Sequence, residues 1–162
     1  MKSFTDNAGR TWTLSLTLGA AERVKALVDV DLLEPCDAGD PPLLTRLGTE
    51  VALLCDVIFA LIKPQADGQG VTDEAWAESM GGDAILSAQR AFYEEMLCFF
   101  RSLGRPDVVK AAATQRTMID LVIRANEERL DAVDPEQEVA AIFGDSPTSS
   151  GPCPESTLGP TP

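Results

Sequence analysis

The chain reads as mainly α-helical with a small N-terminal β-hairpin, a single helical domain over residues 1–143 followed by a polar tail over 144–162. Three observations predict this. Trp12, Leu14, Leu16 and Leu18 alternate with Thr11, Thr13, Ser15 and Thr17, the period of two of a strand with one apolar face. From Gly19 to the neighbourhood of Leu130, apolar residues recur at the three- and four-residue spacing of amphipathic helices. From Gly144 onward Pro, Gly, Ser and Thr dominate, and such a composition buries too little apolar surface to offset the entropy of ordering, so 144–162 is expected to be disordered.

The hairpin occupies residues 1–18. Its first strand lies around Ser3 to Thr5, and Asp6-Asn7-Ala8-Gly9-Arg10 supplies a turn with Asn and Gly for positive φ. A lone hairpin is marginal in water, so its apolar face must rest on helices. A first helix then runs to about Val30 with Ala20, Val24, Leu27 and Val28 on one stripe. After a loop around Asp37 to Pro42, Leu43, Leu44 and Leu47 predict one or two helical turns interrupted at Gly48. Thr49 is the expected N-cap of a central helix carrying Val51, Leu54, Val57, Ile58, Leu61 and Ile62, with Pro64 as its end and Gln65 to Gly70 as a loop. Thr72-Asp73-Glu74 combines a capping hydroxyl with acids in a first turn, opening a short helix that brings Trp76 and Met80 to i, i+4. Asp83 to about Arg101 forms the next helix. Arg105-Pro106-Asp107 starts the last, with Pro in the first turn, and it reaches about Leu130.

Composition excludes whole classes of function. Of 162 residues, 44% are hydrophobic and 24% charged, and 26 Asp and Glu against 13 Lys and Arg give a formal charge of −13. Nucleic acid is a poor partner for such a chain, because phosphate binding needs a basic footprint, and an anionic membrane surface repels it too. There is no His, so Ser-His and Cys-His nucleophile pairs and imidazole metal ligands cannot be built. No apolar signal segment follows Met1-Lys2-Ser3-Phe4-Thr5-Asp6, and the longest apolar run, Val51 to Ile62, contains Asp56 and is too short to cross a bilayer, so a cytoplasmic protein is expected. Cys36, Cys55, Cys98 and Cys153 lie far apart in sequence, unlike zinc ligands or a disulfide framework; Cys55 and Cys98 are expected in the core.

Carboxylates are the only catalytic device left, and chance places many close pairs among so many acids. Glu94-Glu95 and Glu127-Glu128 are sequence neighbours whose side chains diverge by about 100° on a helix. Arg116, Asp120, Arg124 and Glu128 form an i, i+4 ladder of alternating sign, the mark of a solvated helix face. Gly81-Gly82 lacks the Lys-Ser/Thr of a phosphate loop. No enzyme activity, cofactor or metal is expected. Phe92, Tyr93, Met96, Phe99 and Phe100 instead concentrate aromatic and Met side chains on one helix. They either fill the core or leave an exposed groove for an apolar helix of another protein, in which case Phe92, Met96, Phe99 and Phe100 are the partner-binding residues.

Several segments carry a resemblance: Phe4 to Leu14, Val30-Asp31-Leu32-Leu33, Leu54-Cys55-Asp56-Val57-Ile58, Lys63-Pro64-Gln65-Ala66-Asp67, Gly70-Val71-Thr72-Asp73-Glu74 and Phe99-Phe100. Over roughly residues 3–101 the chain resembles the tail assembly chaperones of long-tailed bacteriophages and prophages. That resemblance implies a mostly helical, non-enzymatic protein that binds the apolar-helical tape measure protein, keeps it soluble during tail assembly and is absent from the finished particle, with the segment after Gly144 as a flexible extension. The rival expectation is a structural or connector subunit of a phage-like particle, which requires self-association into a ring; uniform negative charge counts against it.

Overall fold

The computed structural model describes residues 1–36 and 39–131; the expected tail at 144–162 and the proposed domain end at 143 lie outside them. Strands β1 (Lys2–Thr5) and β2 (Thr11–Leu14) form an antiparallel hairpin. Helices α1 (Leu18–Val28), α2 (Leu43–Thr49), α3 (Val51–Gln69), α4 (Asp73–Ser79), α5 (Gly82–Ser102) and α6 (Pro106–Asp131) follow. The mainly α architecture with an N-terminal hairpin is therefore as the periodicities predict. Met1–Ile123 form one compact unit, and the second begins at Arg124, of which the end of α6 is the described part.

In the hairpin Phe4 pairs with Trp12 and Lys2 with Leu14, with Gly9 at positive φ in the connection. β1 lies against α5 and β2 against α3, which puts Phe4, Trp12, Leu14 and Leu16 in the core. Leu18, the last member of the alternating row, is exposed because the chain has already turned into α1 behind the Thr17 cap, whose hydroxyl accepts from the Ala20 N–H. The core is completed by Val24 of α1, Leu44 and Leu47 of α2, Leu54, Ile58 and Ile62 of α3, Trp76 of α4 and the buried face of α5.

Three local expectations are corrected, two of them by tertiary contacts. Pro64 does not end α3, which continues to Gln69 and stops at Gly70 in the left-handed region. A mid-helix Pro removes the N–H that the carbonyl four residues back would accept, here Ala60, and its ring crowds that turn. The Arg23 guanidinium of α1 fills the gap, donating to the Ala60 and Leu61 carbonyls at 3.3 Å each. Gln65, expected in a loop, is therefore helical. Its side chain completes the hairpin edge: Oε1 accepts from the Thr13 N–H at 3.0 Å and Nε2 donates to the Thr13 carbonyl at 2.6 Å. The carboxamide thus takes the place of a neighbouring strand for one residue pair, and the open edge of β2 is covered there. Gly48 lies inside α2 instead of interrupting it, and a Cβ at that position would run into the Gln115 carboxamide of α6. The α3 N-cap is Glu50, with no side-chain cap bond, instead of Thr49, whose hydroxyl bonds back to the Thr45 carbonyl.

Candidate functional site

The aromatic stripe of α5 carries the four residues expected to bind a partner if the stripe is exposed. Phe92, Met96 and Phe100 are fully buried, and Tyr93 lies beside them; Phe99 alone among the four candidate residues is partly exposed. The physical reason is tertiary packing: α5 is flanked by β1 and α3, and its Tyr93 hydroxyl reaches Leu44 of α2, so the face that a helix-only reading leaves open joins the core. Phe92 and Tyr93 meet edge to face at 5.6 Å, as do Phe99 and Phe100 at 5.2 Å, both ordinary core geometries. Burial also raises the Tyr93 pKa, and its hydroxyl donates to the Leu44 carbonyl at 3.4 Å. Of the two readings the stripe allows, its burial is that of a helix that fills the core, with Phe99 alone partly open to solvent.

The carboxylates the helices bring inward are structural in their bonding. Asp6, in the hairpin turn, has no exposed side-chain surface and is the centre of a complete network. Its Oδ1 accepts from the Ala8 and Arg10 N–H groups, and its Oδ2 from Arg10 Nε, Trp12 Nε1 and Ser79 Oγ, all within 3.1 Å. Burial alone would raise its pKa, but the bonds from Trp12, Arg10 and Ser79 outweigh that and hold it below the usual Asp value. Glu95 accepts from the Leu16 N–H and pairs with the terminal amine at 2.8 Å. Neighbouring Glu94 pairs instead with Lys2 and Arg116, and the Lys2 hydrogen bond is the main reason its pKa is lowered. The two acids diverge as the helix geometry requires. Among the described residues no three carboxylates or thiols gather as a metal-binding set, and no helix is long and apolar enough to cross a membrane. Cys36 and Cys98 are exposed and Cys55 is half-buried, so the core assignment fails for Cys98, which sits on the outward face of α5.

Two open concavities among the described residues are candidate sites. The first, about 980 Å³, runs between α2 and α6 and has a floor of Leu44, Ala111 and Ile119 with Met118 and Val122 at one end. Its charged lining residues are one Asp107 and one Lys110. Met118, Leu121 and Val122 are 54%, 57% and 59% exposed, so α6 carries more apolar surface than the core uses. Its inward row of Val108, Ala112 and Ile119 already meets the core. In the sequence Met118 and Val122 are members of the apolar set of the last helix, and nothing local separates its exposed members from its covered ones. The second concavity, about 1190 Å³, lies between the end of α1, α3 and α4, with Phe59, Trp76 and Met80 in its lining.

No family model matches the chain, and no curated protein or solved structure is significantly similar to it. The geometry therefore stands by itself. What it can do chemically is bind: each concavity is an apolar trough on the surface, the arrangement that accepts an amphipathic helix.

Proposed function

We propose that this protein is a non-enzymatic tail assembly chaperone of a long-tailed phage or prophage, which holds an apolar helix of a tape measure-like protein and keeps that protein soluble. The observation that carries the reading is the α2–α6 groove, an apolar trough whose lining includes the exposed Met118 and Val122. Met side chains are unbranched and polarizable, so they adapt to varied apolar partners. The groove replaces the α5 stripe as the holding surface in this reading. The charge of −13 suits a holding role, since it keeps a complex with an apolar chain from associating further. The sequence resemblance over residues 3–101 supplies the identity of the partner class.

Co-expression with the tape measure-like protein of the same operon tests the proposal, scored by the soluble fraction of that protein. The wild-type chain should raise it, and Met118→Glu combined with Val122→Glu should remove the effect while circular dichroism stays unchanged. Equal partner solubility with and without the wild-type chain overturns the reading.

A further inference from the structure

We infer that the second groove, between α3 and α4, docks a basic amphipathic segment of a partner protein. This goes beyond the holding of an apolar helix, because the two grooves share no lining residue. The floor is apolar and aromatic: Phe59 and Trp76 meet with ring centroids 5.3 Å apart, Leu53 and Met80 are half-buried beside them, and Leu27 stands 55% exposed at the edge. The lining charges are of one sign except for Lys63. That lysine is committed, its Nζ lying 2.9 Å from Asp67 and 5.7 Å from the Phe59 ring centroid. Asp56, Asp73 and Glu74 are all exposed, and none has an ion-pair partner among the described residues.

An apolar trough with three uncompensated carboxylates along it is complementary to a helix with apolar residues on one face and Lys or Arg flanking them. An acidic or neutral helix gains the apolar contact but meets unfavourable or absent charge interactions. The α2–α6 groove, with one acid and one base in its lining, makes no such distinction.

The test uses the full chain and a fluorescein-labelled Leu/Lys amphipathic peptide of about five helical turns, with a Leu/Glu peptide of the same pattern as control, read by fluorescence anisotropy. The Leu/Lys peptide should bind and the Leu/Glu peptide should not. Removing the groove charges with Asp56→Asn, Asp73→Asn and Glu74→Gln should weaken Kd about tenfold or more, and Leu27→Gln should weaken it as well. Removing the same amount of charge outside the groove lining, with Glu22→Gln, Glu34→Gln and Asp40→Asn, should change Kd less than about twofold. The pair Met118→Glu and Val122→Glu, which tests the other groove, should leave binding no weaker. Equal losses from the two charge-neutralised triple variants would assign the attraction to overall charge and overturn the inference. So would absence of Leu/Lys binding, equal binding of the Leu/Glu peptide, or weakening by the Met118 and Val122 substitutions.

Discussion

At the tip of the hairpin, Asp6 gathers five donors from its own turn, from Trp12 and from Ser79 at the end of α4. An amide in its place must point an NH2 at groups that are themselves donors, so Asp6→Asn should lower stability by about 3 kcal/mol at neutral pH. The pH dependence has a definite sign. The folded-state pKa of Asp6 lies below its unfolded value, so its stabilisation is fully present above that unfolded value and is lost as pH falls through the folded pKa. The stability gap between wild type and Asp6→Asn, measured by urea unfolding, should be constant from pH 6 to 8 and narrow below about pH 4. A gap that widens on acidification contradicts this account. Trp12 is the partner of Asp6 and is itself fully buried, so Trp12→Ala removes both a large apolar side chain and a donor. It should cost about 3–5 kcal/mol, and a urea midpoint near that of wild type would place Trp12 outside the stabilising core. The alternating row in the sequence announces Trp12 as a core residue. Nothing local announces Asp6, because an acid in an Asp-Asn-Ala-Gly turn is ordinary and its Ser79 partner is 73 positions away.

On the scale of elements, α3 shows why a proline reads differently in isolation and in a fold. Alone, Pro64 leaves the Ala60 carbonyl without its helical donor, and the helix has reason to stop. With α1 packed alongside, Arg23 donates to that carbonyl and to Leu61, and α3 gains the turn that carries Gln65 to the edge of β2. A double-mutant cycle measures this dependence. Arg23→Met should destabilise the wild-type background more than the Pro64→Ala background, in which a backbone N–H serves Ala60 again, with a coupling of about 0.5–1 kcal/mol. Additive effects would show that Arg23 does not compensate for the proline. The α4 start was legible in advance for the opposite reason: Thr72 caps the Ala75 N–H from three residues away, and Asp73 and Glu74 sit in the first turn, all within one short segment.

For the whole molecule, the distribution of apolar surface matters more than its amount. Met118, Leu121 and Val122 contribute little to folding because more than half of each remains in water. Replacing all three by Gln should keep the thermal midpoint within about 3 °C of wild type and, under the proposed function, abolish the soluble co-expression of the partner. A large loss of stability would instead assign these residues to a packing role within the protein. The α5 stripe behaves in the reverse way: a polar substitution at Met96 should unfold the protein, because it lies in the core.

The residues by themselves determined the helical class, the hairpin, the α4 cap and the burial of Trp12, since each depends on periodicity or on hydrogen bonds within a few positions. They also determined that histidine chemistry is impossible and that the surface is acidic. Tertiary structure decided which apolar rows are covered. Phe92, Met96 and Phe100 on α5 and Met118, Leu121 and Val122 on α6 belong to similar amphipathic patterns, yet the first set lies inside the core while the second stays in water. Hydrophobic burial is non-directional and depends only on which surface meets which, so a helical stripe says that it can be buried and not by what. The same limit applied to Pro64, Gly48 and Asp6. Each is resolved by a residue remote in sequence, respectively Arg23, Gln115 and Ser79, and only the fold brings those partners within reach.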